Sequence, residues 1–174
     1  MATTKSTTSG KTFKPPIRPA EAGDGPTAES DALRLLKADH DEVATMFEEY
    51  DDSEEDGEKE ELAQRICAAL TVHAQIEEEI FYPADREVLE ADELELVNEA
   101  DVEHATVKEL VSRIEASDAT DDHFDATIKV LGEYVKHHVR EEESELFPRL
   151  EARGLDRETV GNELAVRKAE LVLA

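Results

Sequence analysis

The sequence predicts an all-α protein, namely an up-down four-helix bundle flanked by an N-terminal arm and a short fifth helix. Three observations support this fold class. Charged residues make up 37% and aromatic residues only 5% of the 174 residues, which is typical of long amphipathic helices that pack through aliphatic side chains. Apolar residues recur at helical spacing in four segments, and no segment alternates as a strand does. The sequence also contains an internal repeat.

The four helical segments have recognisable ends. The first begins near Ser30 and Asp31, both favourable N-cap residues, and ends before the acidic run 51–58. The second and fourth run to Pro83 and Pro148. Four apolar stripes joined by short polar loops can bury one another in a bundle. The stripes are Leu33, Leu36, Val43, Phe47 and Tyr50; Leu62, Ile66, Ala69, Ile76 and Ile80; Val97, Val107, Val111 and Ile114; and Phe124, Ile128, Leu131, Val135 and Leu146.

The chain divides into three parts. Residues 1–29 are rich in Thr, Ser, Lys, Gly and Pro and show no periodicity, so we expect a disordered or loosely docked arm there. Residues 30–153 form the bundle domain. Residues 154–174 contain the shorter fifth helix, which follows Asp156 and carries apolar residues at helical spacing.

Charge and cysteine content exclude several classes of function. The net charge of −26 repels nucleic acid phosphates and anionic membranes, so we expect no partner of either kind. With Cys67 as the single cysteine, no intramolecular disulfide can form, which fits a reducing compartment. No stretch reaches the roughly 20 apolar residues of a membrane span, and no signal peptide is apparent. We therefore expect a cytoplasmic protein, with Cys67 a small core residue rather than a nucleophile.

An internal repeat relates the two halves of the bundle. The segment HAQIEEEIFYP at 73–83 resembles HVREEESELFP at 138–148, an offset of 65 residues. The segment DHDEV at 39–43 resembles EHATV at 103–107, an offset of 64. One helix pair is thus present twice, which predicts a pseudo-two-fold bundle whose equivalent residues face a common centre.

Histidine and glutamate side chains of this repeat indicate a metal site. Four histidines fall on the apolar stripes and should point into the bundle. His73 and His138 are each followed four residues later by a glutamate, Glu77 and Glu142, on the same helix face. Burying two glutamates without partners would cost several kcal/mol, and a pair of dications removes this cost. The donor set suits iron or manganese, and zinc less exclusively. The candidate ligands are His40, His73, Glu77, His104, His138 and Glu142.

Other histidines and one tyrosine are weaker candidates. A single histidine on a helical stripe is usually a core residue. A metal site is favoured here because four such histidines occur in two matching pairs. His137 also has a glutamate four residues on, but it is turned about 100° from the stripe that contains His138. We expect His123 to be a surface residue. Tyr134, one turn before His138, has two interpretations: it approaches the site and hydrogen-bonds a bound ligand, or it packs in the core.

With its IFYP and LFP ends, the pattern H…HxxxE…H…HxxxE resembles the haemerythrin family, specifically the haemerythrin HHE cation-binding domain, over about residues 31–150. The resemblance implies a four-helix bundle with two non-haem iron ions, bridged by an oxo or hydroxo group, with manganese or zinc less expected. It also implies the ligand roles. One iron would be bound by His40 and His73 and the other by His104 and His138, with Glu77 and Glu142 bridging them.

The sequence departs from the oxygen-carrying members of this family. They have a further histidine one turn after the third-helix histidine, where this chain has Lys108. The resemblance therefore implies a more open iron, as in the bacterial subgroup associated with oxygen or iron sensing and with peroxide or nitric oxide chemistry. We expect Lys108 and Glu78 to lie around the ligands, and Glu78 is also a weaker candidate for an additional ligand.

These features lead to alternative hypotheses. The first is a non-haem di-iron protein that binds or reacts with O2, H2O2 or NO in oxidative-stress defence or sensing, and it leaves a catalase- or peroxidase-like activity open. The second is an O2- or iron-binding sensor or carrier without catalysis. The third is a structural bundle that retains the ligand residues without using them. The partner would be a small oxidant or gas, whereas the oligomeric state is left open.

Overall fold

The computed structural model describes residues 31–173, all of whose regular structure is helical. The predicted arm at 1–29 lies outside the described residues. Two five-residue π-helical turns interrupt the α-helices. The elements are α1 (Ala32–Asp52), α2 (Asp56–Ile76), a first π turn (Glu77–Phe81), α3 (Tyr82–Val88), α4 (Leu94–Glu115), α5 (Phe124–Glu141), a second π turn (Glu142–Leu146), α6 (Phe147–Arg153) and α7 (Arg157–Val172).

The four long helices form the predicted bundle. Helix α1 packs against α2, and α4 packs against α5, so each half of the sequence repeat is an antiparallel pair. The two pairs meet through α2 with α4 and α1 with α5. Helix α7 lies outside this arrangement, against α1, α2 and the first π turn. Within residues 31–173, no helix combines the length and the apolar character that crossing a membrane requires.

Local sequence explains where several helices begin and end. The side chain of Asp31 accepts a hydrogen bond from the Arg34 N–H at 3.2 Å and caps α1. Asp156 caps α7 in the same way through the Thr159 N–H. Such caps stabilise a helix by about 1 kcal/mol. Gly154 adopts φ 77° and ends α6, a left-handed conformation that glycine adopts without a steric penalty.

The two helical segments that the sequence predicted to end at Pro83 and Pro148 continue past these prolines. Pro83 and Pro148 each lie in the first turn of a further α-helix, where the missing N–H has no helical acceptor to lose. A π turn precedes each proline and begins at Glu77 or Glu142. Single π turns within α-helices occur frequently at functional sites. Here they occupy equivalent positions in the two halves of the repeat.

The apolar core consists of two clusters separated by the layer of stripe histidines. The lower cluster lies around Leu36, Phe81 and Leu150, and the upper one around Ile66 and Leu131. Cys67 is 1% exposed in the upper cluster, and burial raises its pKa to about 12, so it is a core residue as expected. His40 follows Leu36 and precedes Val43 on α1, and so lies between the clusters.

We predict that truncation of a side chain in the upper cluster destabilises the metal-free bundle strongly. Leu131 is fully buried, so Leu131→Ala should lower the free energy of unfolding by about 2–5 kcal/mol. The matched control is Val130→Ala on the same helix, where the side chain is 45% exposed, with an expected change within about 0.5 kcal/mol. Urea unfolding followed by circular dichroism measures both. Equal losses in the two variants would contradict the assignment of the core.

Candidate metal centre

The structure brings the six candidate ligands together in the middle of the bundle. All six are buried. The Nε2 atoms of His40 and His73 lie 3.2 Å apart, and those of His104 and His138 also lie 3.2 Å apart. The histidines thus form two pairs, one from each half of the sequence repeat, and every ring presents Nε2 to the centre.

The two glutamates connect the histidine pairs. Glu77 Oε2 lies 3.2 Å from His73 Nε2 and 3.3 Å from His104 Nε2. Glu142 Oε2 lies 3.4 Å from His40 Nε2 and 3.6 Å from His138 Nε2. Each carboxylate therefore reaches one histidine of each pair, which is the arrangement that a bridging ligand requires. Two clusters with metal-ligand spacing share Glu77.

Burial of these carboxylates fits a pair of bound cations. Both oxygens of Glu77 and one of Glu142 have no hydrogen-bond partner among the described residues. Burial raises the pKa of Glu77 well above its usual value, and the charge of Glu142 raises it further. Burial also lowers the pKa of His73 to about 4, which leaves a neutral imidazole. Neutral imidazoles and orphaned carboxylate oxygens are metal donors, so the residues present fit a two-metal centre.

A carboxylate lies behind each of the four histidines. The Nδ1 atom of His40 lies 2.9 Å from Glu143 Oε1, and that of His138 lies 2.8 Å from Glu103 Oε2. A carboxylate in this position fixes the ring orientation, places the proton on Nδ1 and increases the basicity of Nε2. His104 Nδ1 makes the same kind of contact with Glu78 Oε1 at 3.1 Å. Asp39 Oδ2 lies 3.6 Å from His73 Nδ1, which is beyond hydrogen-bonding distance, and this nitrogen has no hydrogen-bond partner among the described residues.

Sequence reasoning missed three of these four carboxylates, although the repeat contains the signal. Asp39 and Glu103 each precede the first histidine of their half, and Glu143 follows Glu142 as Glu78 follows Glu77. Acidic residues at equivalent positions on both sides of the ligand pattern would have identified them. The structure places Glu78 behind His104, with Oε1 3.1 Å from the outer ring nitrogen Nδ1.

Tyr82 is a further residue at the centre that the sequence did not single out. Its hydroxyl donates a hydrogen bond to Glu142 Oε1 at 3.0 Å and lies 3.3 Å from His104 Nε2. Its repeat equivalent, 65 residues later, is Phe147, whose ring stacks parallel to that of His40. The two halves of the centre therefore differ in one hydroxyl group. The difference between IFYP and LFP in the two repeats is the signal for it.

The weaker candidates lie away from the centre. Lys108 is half exposed and its Nζ contacts Glu78 at 2.5 Å, so it belongs to the surroundings of the ligands. Tyr134 is 42% exposed and lines an outer groove of α4 and α5, so neither interpretation of this residue was right. His137 points away from the centre, with Nε2 3.4 Å from Glu103 Oε1. The side chain of His123 is at the surface, as expected.

A small apolar cavity adjoins the histidines. Its volume is about 20 Å³, which accommodates a water molecule or a ligand of similar size. The side chains of Val43, Leu70, Val107, Val135 and Val139 line it together with the four histidines. Apolar walls favour small uncharged molecules over ions at this position.

Asp85 on α3 is a buried carboxyl that the sequence did not indicate. It is fully buried, and neither of its oxygens has a hydrogen-bond partner among the described residues. Burial raises its pKa to about 9, assisted by the charges of Glu142 and Glu77. The side chain is therefore held in its neutral form near pH 7.

Comparison with known proteins agrees with this geometry. The model of the family "Hemerythrin HHE cation binding domain" matches residues 31–150. A DNA nickase of Nostoc sp. (strain PCC 7120) is 33% identical over 114 residues, which are 65% of this chain but only 31% of the relative's length. The crystal structure of a Hemerythrin HHE cation binding domain-containing protein, the Rv2633c homolog from Mycobacterium kansasii, superposes with a TM-score of 0.68 at 19% identity. That comparison covers 81% of this chain and 86% of the other.

We predict a pH-dependent stability effect of Asp85 in the metal-free protein. Its pKa is about 9 when folded and about 3.9 in an unfolded chain. Between these values the unfolded state releases the proton first, so the contribution of Asp85 to stability falls as pH rises. Asp85→Asn should therefore become more stable relative to the wild type from pH 5 to pH 8, by up to about 1.4 kcal/mol per pH unit. Thermal unfolding as a function of pH measures this.

The control for Asp85 is Asp92→Asn, which alters an exposed carboxylate. This variant should follow the wild type at every pH. A constant difference between Asp85→Asn and the wild type over the whole range would show that Asp85 ionises normally, which contradicts the prediction.

We predict that the carboxylate behind His138 strengthens metal binding. Glu103→Gln keeps the size of the side chain but removes its charge, so the affinity for a divalent metal should fall by roughly 10-fold. Glu109→Gln is the matched control, because Glu109 lies on the same helix and pairs with Arg113 at the surface. Competition with a colorimetric chelator measures both affinities. Equal affinities in the two variants would contradict a role for Glu103.

Proposed function

We propose that this chain, which belongs to the hemerythrin HHE cation-binding domain family, is a non-haem di-iron protein. Its centre would bind or react with small oxygen-derived molecules. O2, H2O2 and NO are the candidate ligands, and oxidative-stress defence or sensing is the proposed role. The observation that supports this most directly is that four Nε2 atoms meet in a buried layer, where each of two carboxylates lies near one histidine of each pair.

The distances between the side chains support the proposed ligand roles. His40 and His73 would hold one ion, and His104 and His138 the other. Glu77 and Glu142 would bridge the ions, since each reaches one histidine of each pair. Two histidines and shared carboxylates leave open coordination positions on each ion. Such mixed nitrogen and oxygen sites suit iron, whereas zinc favours closed tetrahedral sites when its role is structural.

Residues around the centre would determine which molecules enter and how protons are held. Bound iron would supply redox chemistry toward oxygen-derived ligands. The apolar cavity next to the histidines admits one small molecule. Tyr82 holds a proton at its hydroxyl, on the side of the centre formed by His104 and Glu142. Lys108 contacts Glu78 and adds no donor to the centre, so the ion at His104 and His138 would keep an additional position open.

A second candidate function is an O2- or iron-binding sensor or carrier without turnover. The enclosure of the centre supports it, because all six proposed ligands are buried and the adjoining cavity is small. Peroxide turnover separates the two functions. The buried single cysteine fits a reducing environment, and we keep the cytoplasm as the proposed location.

We do not extend the DNA nickase activity of the Nostoc relative to this chain. The chain spans less than a third of that protein. Its net charge of −26 opposes the phosphate contacts on which DNA affinity depends. A plasmid-nicking assay at low salt, with and without loaded iron, tests this view, and nicking that depends on the intact chain would contradict it.

We predict that anaerobic titration with ferrous iron gives two ions per chain. His73→Ala and Glu142→Ala should lower this stoichiometry, since each removes a proposed ligand, whereas His123→Ala at the surface should leave it unchanged. Metal analysis after desalting measures the stoichiometry. Full iron in both ligand variants would contradict the proposed centre.

The same samples distinguish reaction from binding. After addition of O2 and then H2O2, absorption spectra report oxidation of the iron, and an oxygen electrode reports peroxide turnover. Oxygen evolution well above that of free iron supports an enzyme. A stable oxygenated form that reverses under vacuum supports the sensor or carrier. If neither occurs, the centre does not react with oxygen-derived molecules and the proposal fails.

A further inference from the structure

Helix α7 contacts one half of the metal centre. It lies beyond residues 31–150, which the family model matches. Val160 and Leu164 bury their side chains in the lower apolar cluster. The helix packs mainly against α1, α2 and the first π turn, which are the elements that provide His40, His73 and Glu77.

Three cations fix α7 on this surface. Arg157 pairs with Asp31, the buried N-cap of α1. Arg167 Nε lies 2.7 Å from Glu79 Oε2, in the same π turn as Glu77. Lys168 Nζ lies 2.5 Å from Asp39 Oδ1. Asp39 directly precedes His40 in the sequence, and Glu79 follows Glu77 by two residues.

Lys168 and His73 contact opposite oxygens of one carboxylate. Asp39 is 7% exposed, and it presents Oδ1 to Lys168 and Oδ2 to His73 Nδ1, 3.6 Å away. An ion pair at Oδ1 fixes the plane of the carboxylate and so keeps Oδ2 directed at the imidazole. Since Asp39 is nearly buried and Lys168 is about one-third exposed, water screens this pair less than it screens a fully exposed ion pair.

The equivalent contact in the second half does not involve α7. Glu103, the repeat equivalent of Asp39, has His137 of α5 as its outer partner. The outer partners of the other two carboxylates are also in the bundle: Lys108 of α4 contacts Glu78, and Lys37 of α1 contacts Glu143. Of the four carboxylates behind the histidines, Asp39 alone takes its outer cation from α7.

We propose that Lys168 is a positioning residue for the metal held by His40 and His73, so that the docking of α7 determines how firmly this ion is retained. The ion held by His104 and His138 should depend less on α7, because the cations beside Glu103 and Glu78 are His137 of α5 and Lys108 of α4. The inference rests on the two-metal centre of the proposed function. The two ions are thereby inequivalent, although their histidine ligands are related by the sequence repeat.

Lys168→Met tests this inference, with Lys108→Met as the matched control. Methionine keeps an unbranched apolar stem for packing and removes the charge. Lys108 contacts Glu78, the carboxylate behind His104, as Lys168 contacts Asp39, the carboxylate behind His73, although Lys108 reaches both oxygens of Glu78. Each variant should therefore weaken a different metal position. Lys168→Arg retains a cation and should restore the behaviour of the wild type.

The measurement is the release of cobalt(II) from loaded protein to excess EDTA, followed by visible absorption. Cobalt is the probe because its release requires no reaction with an oxidant. The wild type should release its two ions in two phases. Lys168→Met should accelerate one phase by about 3- to 10-fold. Mutation of a residue that contacts a metal ligand directly usually weakens metal affinity by about 10- to 100-fold, and Lys168 acts one contact farther away. Lys108→Met should accelerate the other phase.

Several results would overturn the inference. Equal acceleration of both phases in Lys168→Met, with a lower melting temperature of the metal-free protein, would make α7 a general scaffold. Unchanged phases would exclude a role of Lys168, and a single phase in the wild type would exclude inequivalent positions. If the protein releases cobalt as expected but binds no iron, the proposed di-iron function is wrong, whereas this inference about Lys168 is still supported.

Discussion

Two glutamates buried at the middle of the bundle set the main constraint on this structure. Glu77 and Glu142 are removed from solvent, and three of their four oxygens have no hydrogen-bond partner within the described chain. Ionised carboxylates in such a place are destabilising unless cations lie beside them. The neighbouring groups satisfy this constraint in layers. Imidazoles face the glutamates, and carboxylates lie behind the imidazoles. At the edge of the bundle a lysine pairs with three of those carboxylates, and His137 lies beside the fourth.

The same constraint explains the shape of the core. A bundle with one continuous apolar core would leave no place for six polar ligands, and here the core is divided into a lower and an upper cluster with the ligands between them. The two π turns begin at the two glutamates. An extra residue in a helical turn changes the direction of the side chains that follow. It lets each helix present a ligand to the centre and then return Phe81 or Leu146 to the lower cluster.

Helical periodicity made the fold and the six candidate ligands predictable, because it places His73 and Glu77 on one face without knowledge of the other helices. The carboxylates behind the histidines were harder to predict. The chain has 45 acidic residues, and only the packing of one helix against another decides which of them meet an Nδ1 atom. Tyr134 was misplaced for a different reason. It precedes Val135, so the two side chains diverge by about 100°. Val135 faces the core, and Tyr134 therefore faces outward.

The departures from two-fold symmetry matter most for what the centre can do. Perfect repetition would give two ions with equal surroundings, whereas this chain places a hydroxyl beside one histidine pair and an aromatic ring without a hydroxyl beside the other. It also packs α7 mainly against α1, α2 and the first π turn, which belong to the first half. In the proposed di-iron centre, the two ions would therefore differ in how readily each exchanges a ligand. Unequal surroundings provide that difference without any change in the histidines and glutamates themselves.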